Sequence, residues 1–139
     1  MPWDELCSLE RLMALHARGI QEFGGRIGLI DPGCPEGTLG AAWNAVEYGE
    51  VGNSLPHLVF ACYLLYYFAT KQCFADGNKR IAWASMSEVL ASIGLEVGAG
   101  TDEAYAFALD VAKGLLSPSQ IVQWVSRRLR AIGSPPPQA

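Results

Sequence analysis

The sequence predicts an all-α fold, a compact bundle of six helices with a short flap loop or hairpin near residues 26–33. Three observations support this prediction. Apolar residues recur at helical spacing in almost every patterned segment. Glycine and proline residues separate these segments from one another. The one plausible strand, Leu95–Val97, is too short to define a sheet by itself.

The first three helices are predicted at residues 6–23, 35–48 and 54–71. Gly24 ends the first, because glycine readily adopts the left-handed conformation that stops helices. Ser54 and Pro56 open the third with a hydroxyl cap and then a proline where no amide partner is needed. This third helix is apolar on nearly all sides, so we expect it at the centre of the bundle.

Three further helices are predicted in the second half of the chain. The fourth covers residues 78–93, and Thr101 is expected to cap a fifth that ends at Gly114. Ser117 and Pro118 open a sixth helix that ends near residue 132. Its last turns contain Arg127, Arg128 and Arg130. Attraction of positive side chains to the negative C-terminal end of a helix explains these arginines more simply than a nucleic-acid surface does.

Composition limits the class of protein. The 139 residues fit one domain, expected over residues 1–133 and followed by a disordered proline-rich tail at 134–139. The net charge of -4 argues against direct nucleic-acid binding. The N-terminus lacks the pattern of a signal peptide, and the apolar run 58–69 is shorter than the ~20 residues that span a bilayer. We therefore expect a cytoplasmic protein that does not bind membranes.

The chain contains four cysteines, and none of them has the spacing of a zinc site. In a reducing cytosol cysteines normally remain free thiols. We therefore expect free thiols at Cys7, Cys34, Cys62 and Cys73.

One segment, residues 72–80, has the composition of an anion-binding loop. It joins two apolar helices and exposes the N-terminus of the second, whose first amides have no partner within the helix and can bind phosphate. Gly77 permits close approach to the backbone, and Asn78 can cap the helix and donate from its amide. Asp76 is an oxygen ligand suited to magnesium. Lys79 and Arg80 add positive charge, and Phe74 is expected to fix the loop to the core.

The composition of this loop alone favours an ordinary turn followed by a solvated basic pair. However, Phe74-x-Asp76-Gly77-Asn78-Lys79-Arg80 resembles the signature of the Fic/Doc family, written H-x-F-x-D-G-N-K-R in its Doc branch. The AMP-transferring branch usually has glycine at the position of Lys79. The resemblance extends along nearly the whole chain, and the matching residues follow the same order as in the family. They are Leu15-His16, Gly24-Gly25, Gly28, Asp31-Pro32-Gly33, Glu36, Leu39 and residues 117–129.

The resemblance implies a kinase-type toxin of a toxin-antitoxin module. Such toxins transfer the terminal phosphate of ATP to a threonine of elongation factor Tu, which blocks translation, and a Phd-like antitoxin peptide holds them inactive. By position, Asp76 would bind Mg²⁺, and Gly77, Asn78, Lys79 and Arg80 would bind the phosphates. The Gly28 to Gly33 segment would be the flap that positions the target.

The sequence departs from the family pattern at the catalytic base, because Gln72 occupies the position of the family histidine. A glutamine amide can orient a hydroxyl but cannot take its proton, and losing a general base typically costs 10²–10⁴-fold in rate. His57 would lie ~22 Å away along the same helix. His16 cannot be placed relative to the loop from sequence, and a packed histidine is the simpler interpretation. Two alternatives remain: a catalytically dead binding module acting through an antitoxin, or an AMP-transferring enzyme.

Overall fold

A computed structural model describes residues 3–49 and 55–134. Within these residues it confirms the all-α fold, because only six residues lie in strands. The helices are α1 (Trp3–Leu6), α2 (Leu9–Phe23), α3 (Cys34–Glu47), α4 (Pro56–Thr70), α5 (Asn78–Ser92), α6 (Thr101–Ala112) and α7 (Pro118–Ser126), and the strands are β1 (Leu95–Val97) and β2 (Leu129–Ala131).

Helix α4 forms the centre of the bundle, as predicted. It packs against α3, α5, α6 and α7. Phe60, Leu64 and Phe68 have no exposed surface, and burying each such side chain contributes about 1.5–3 kcal/mol. Because neighbours surround α4, it needs no polar face, which explains its uniformly apolar sequence.

The predicted first helix, residues 6–23, is in fact two helices. Ser8 has an extended backbone, and its side-chain oxygen accepts a hydrogen bond from the Arg11 amide at the start of α2. This cap interrupts the helix that the apolar pattern made appear continuous. The preceding turn, α1, buries Trp3 against the core.

The predicted caps of two other helices are Thr101 and Ser54. Thr101 does not cap α6: it is the first helical residue, and Gly100 occupies the cap position without a side-chain bond. The predicted cap Ser54 lies outside the described residues, whereas Pro56 does begin α4, with Leu55 at its cap position. The predicted tail also lies outside the described residues from position 135 onward.

The sixth predicted helix ends early, at Ser126 instead of near residue 132. The chain then forms β2, which pairs antiparallel with β1 in a two-stranded sheet. Arg130 therefore belongs to β2 and forms an ion pair with Glu96 on the paired strand, at 2.9 Å. Arg128 does bind the end of α7, because it donates to the Trp124 carbonyl, and it also pairs with Glu103.

The flap segment, residues 26–33, pairs with residues 73–75. The Ile30 amide donates to the Cys73 carbonyl at 2.9 Å, and the Ala75 amide donates to the Gly28 carbonyl at 3.0 Å. Together these bonds form an isolated antiparallel bridge between Leu29 and Phe74. The flap is therefore attached to the loop that the sequence singles out as the candidate site.

The cysteine prediction is wrong for one pair. Cys34 and Cys73, 39 residues apart, form a disulfide, with their Cα atoms separated by 5.4 Å. The pairing of the flap with residues 73–75 places Cys34, at the end of the flap, beside Cys73. Cys7 and Cys62 are free and buried. Among the described helices, none is long and apolar enough to cross a membrane.

Candidate functional site

The site forms where α4 ends and α5 begins, and we call residues 72–80 the motif loop. Gly77 occupies the cap position of α5 with a φ of 78°, a left-handed conformation that favours glycine. Asn78 is therefore the first helical residue and not the cap, contrary to the sequence prediction. The amides of the first turn, residues 78–80, point out of the helix without intrahelical partners.

The Asn78 side chain closes the motif loop on itself. Its Oδ1 accepts a hydrogen bond from the Phe74 amide at 3.1 Å, and its Nδ2 donates to the Phe74 carbonyl at 2.9 Å. Both polar atoms of the side chain are thus used within the loop. Its main-chain amide remains in the first turn of α5, and helix amides at such positions commonly bind anions.

Phe74 and His16 join the motif loop to α2. Phe74 is buried, and its ring stacks on His16 with 3.8 Å between centroids. Nε2 of His16 lies 2.8 Å from the carbonyl oxygen of Asp76, which can only accept, so Nε2 carries the proton and donates. His16 is thus a buried packing residue, and this nitrogen is not available as a proton acceptor.

Asp76 is held by Arg26 of the flap. Its Oδ2 accepts hydrogen bonds from the Arg26 amide at 2.8 Å and from the Arg26 Nε at 3.2 Å. The Arg26 amide first, and then its guanidinium, lower the pKa of the Asp76 carboxyl below its ordinary value. Asp76 therefore carries its negative charge at neutral pH.

The two basic residues of the motif loop differ in their surroundings. The Arg80 guanidinium donates to the carbonyls of Gly19 and Gly24 at 3.0 and 2.9 Å, so it satisfies acceptors at the C-terminal end of α2. Lys79 is exposed on the first turn of α5. Lys79 is therefore the more available cation, and Arg80 also tethers the two helix ends.

Gln72 is exposed at the junction between α4 and the motif loop. His57 lies in the first turn of α4, at the opposite end of that helix. His16 is near the loop, but its Nε2 donates to a carbonyl. His57 is thus far from Gln72, and Nε2 of His16 is committed to the Asp76 carbonyl.

A cavity of about 910 Å³ opens between α2, the first turn of α5 and the N-terminal half of α6. Its lining is mostly apolar, with Phe23, Trp83 and Tyr105 among its walls. Gly77, Lys79 and Arg80 line the same cavity. It thus combines apolar walls with a helix N-terminus and two basic side chains, and small-molecule sites commonly combine apolar walls with a few polar groups.

The donor set also suits a nucleotide-bound magnesium ion. Mg²⁺ is usually held by one or two carboxylates together with substrate phosphates, and Asp76 supplies one ionised carboxylate beside the first turn of α5. The described residues contain no cluster of three or more His, Cys, Asp or Glu side chains that could hold a metal alone.

Comparison with known proteins identifies the family. The family model described as the Fic/DOC family matches residues 6–90. The chain is also 32% identical to "Protein kinase doc" of Escherichia phage P1 over 120 residues, which cover 86% of this chain and 92% of that protein. The chain belongs to the Fic/DOC family. The Fic/DOC match includes α2 to α4, the complete motif loop and most of α5. It contains His16, Arg26 and residues 72–80, whereas Tyr105 and the α6 wall of the cavity lie beyond it.

Within this Fic/DOC site, sequence reasoning overlooked Arg26. The residue lies between glycines in a loop, 50 residues from Asp76, and nothing in its local sequence indicates a partner. His16 was noticed only through the resemblance, and its position beside Phe74 emerges from the structure. Both contacts depend on the packing of α2 and the flap against the motif loop.

Proposed function

We propose that this chain is a Doc-like toxin of a toxin-antitoxin module, which transfers the terminal phosphate of ATP to a threonine of elongation factor Tu and so blocks translation. With Gln72 at the position of the family histidine, this activity is lost or reduced. The observation that carries the proposal is the first turn of α5, which opens onto the 910 Å³ cavity with Gly77 and Lys79 at its edge. Family membership and the relative named a protein kinase support it.

Several residues of the motif loop have a proposed task. The amides of residues 78–80 and the Lys79 ammonium bind the phosphates of ATP, since they combine a helix N-terminus with a cation. Asp76 would hold Mg²⁺, which would supply positive charge to the phosphoryl group. Phe74 and Asn78 keep the loop in shape, through burial and through the two hydrogen bonds to the Phe74 backbone.

The missing step is proton removal from the attacking threonine hydroxyl. Gln72 can hydrogen-bond that hydroxyl, but its amide cannot take the proton at neutral pH. The position is exposed and thus reachable by a target chain. The remaining binding and orientation groups explain why nucleotide binding should persist although turnover is poor.

The direct test restores the base with Gln72→His and supplies ATP, Mg²⁺ and elongation factor Tu. Phosphate transfer to a threonine should rise about 10²–10⁴-fold over the unchanged protein, as expected for gaining a general base. Gln72→Asn is the matched control, because it keeps an amide at the same position. Transfer of AMP would identify the other family activity, and no transfer from a folded Gln72→His protein would refute the proposal.

The absence of a basic side chain at Gln72 favours a second candidate function. A chain without a base could serve as a binding module that acts through a Phd-like antitoxin. Calorimetry with a Phd-like C-terminal peptide should then show binding to the unchanged protein, while Gln72→His should confer no toxicity on cells. Failure to bind the peptide would eliminate this candidate.

A further inference from the structure

The disulfide between Cys34 and Cys73 joins the flap to the motif loop. Cys73 lies between Gln72 and Phe74, and Cys34 is the first residue of α3, immediately after the flap. Two backbone hydrogen bonds connect the same segments, from Ile30 to Cys73 and from Ala75 to Gly28. The covalent bond thus crosses the same interface as these hydrogen bonds, the Arg26 contacts to Asp76 and the packing of Leu29 on the core.

The other cysteines are poor participants in thiol chemistry. Burial raises the pKa of the Cys7 thiol to about 11 and that of the Cys62 thiol to about 12. Since the thiolate is the reactive form, both are nearly inert at neutral pH. Among the four cysteines, thiol–disulfide exchange is therefore favoured only at the Cys34–Cys73 pair.

The two cysteines of the pair differ in exposure. Cys34 is partly exposed, whereas Cys73 is fully buried. Thr38 lies beside both, with its hydroxyl oxygen 3.8 Å from the Cys34 sulfur and 3.6 Å from the Cys73 sulfur. A disulfide sulfur carries no hydrogen, so the hydroxyl donates. It can likewise donate to a thiolate formed at either position.

We propose that Cys34 and Cys73 form a thiol–disulfide exchange site, through which small thiols control how firmly the flap is held on the motif loop. An external thiolate attacks the accessible Cys34 sulfur and forms a mixed disulfide, while Cys73 leaves as a thiolate and takes up a proton. A second external thiolate attacks the external sulfur of the mixed disulfide and releases Cys34. The balance is one protein disulfide and two small thiols converted into one protein dithiol and one small disulfide.

The position of Cys34 also favours the reverse reaction, in which a small disulfide oxidises the two thiols. Cys34 opens the 14-residue helix α3, and a helix N-terminus stabilises a thiolate. Reduced Cys34 therefore attacks a small disulfide, and the neighbouring Cys73 resolves the mixed disulfide. A partly exposed thiol beside a resolving cysteine is the arrangement found in redox-sensing proteins.

The proposal makes a chemical prediction for the air-oxidised, full-length protein. Without reductant, iodoacetamide should modify none of the four cysteines under native conditions. After dithiothreitol, peptide mapping should find fast modification at the partly exposed Cys34 and slower modification at the buried Cys73, which reagent reaches only when the released flap opens. Cys7 and Cys62 should react only in denaturant. Finding no disulfide in the oxidised protein would overturn the proposal.

Coupling to the flap is tested by amide hydrogen exchange, which needs neither ATP nor any enzymatic activity. The Ile30 and Ala75 amides should exchange about tenfold faster or more after reduction, because the covalent link no longer restrains local opening. The doubly substituted Cys34→Ser, Cys73→Ser protein should exchange fast with or without dithiothreitol, whereas Cys62→Ala should respond like the unchanged protein. Equal exchange of the unchanged protein in both states would refute the coupling, even if the serine variant fails to fold.

Discussion

His16 stacks on Phe74 with the two rings inclined by only 17°, and the same imidazole donates to the main chain of Asp76. One side chain of α2 thus supports both the buried anchor of the motif loop and the backbone of its acidic residue. The loop is shaped by α2 as much as by its own sequence.

His16→Ala should therefore destabilise the protein markedly. It removes a stacked pair, worth about 0.5–1.5 kcal/mol, and a hydrogen bond, worth about 0.5–1.5 kcal/mol, so we expect a loss of about 1–3 kcal/mol in urea unfolding. His57→Ala is the matched control at the other histidine. A His16→Ala protein as stable as the control would show that the stacked contact contributes little.

Asn78→Ala should also reduce stability, because it leaves the Phe74 amide and carbonyl without their side-chain partner. We expect a cost of about 1–3 kcal/mol in the free energy of unfolding. The neighbouring exposed Lys79→Ala should change stability by no more than about 0.5 kcal/mol. Equal unfolding curves for the two variants would contradict the structural role given to Asn78.

The pairing of Asp76 with Arg26 predicts a specific pH dependence. The folded-state pKa of Asp76 lies below its unfolded value, so the stabilisation is complete above the ordinary pKa and is lost as the pH falls through the folded value. The difference in Tm between the unchanged protein and Asp76→Asn should hold between about pH 5 and 7 and shrink below about pH 4.

Arg26→Gln separates the two causes of this dependence. The variant keeps the main-chain amide, which is the larger cause of the lowered pKa, and removes only the guanidinium. The stability of Arg26→Gln should therefore still decline at low pH, but less than that of the unchanged protein. In Asp76→Asn this decline should be absent. Identical pH profiles for the unchanged protein and Asp76→Asn would exclude the carboxylate as the responsible group.

Much of this fold was accessible from the sequence because local patterns determine helices. The uniformly apolar α4 could only be a central helix, and the glycines after α2 and α5 marked their ends. The plausible strand at Leu95–Val97 is confirmed as β1, but its partner β2 could not be foreseen, because each strand has only three residues and is stabilised by the other. Residues 127–132 were predicted to continue the sixth helix, whereas residues 129–131 pair with β1.

The location of the candidate site could be predicted from the sequence, but the contacts of its residues could not. The motif loop is a contiguous pattern, so its location between two helices could be inferred directly. The partners of its residues could not, because Arg26, the Gly19 carbonyl and the Cys34 sulfur approach through tertiary packing. The resemblance supplied the chemistry of the loop, but not the contacts that hold it in this chain.

These long-range contacts bear on the order in which the molecule assembles. The sequence separations are 60 residues between His16 and Asp76 and 61 between Gly19 and Arg80. Contacts between such distant residues require closure of a long chain loop, which slows their formation relative to local helix pairing. The α4–α5 hairpin can therefore form from neighbouring sequence, whereas the shaped motif loop must await the docking of α2. A fragment beginning at α4 would contain every residue of the family signature and still lack the site.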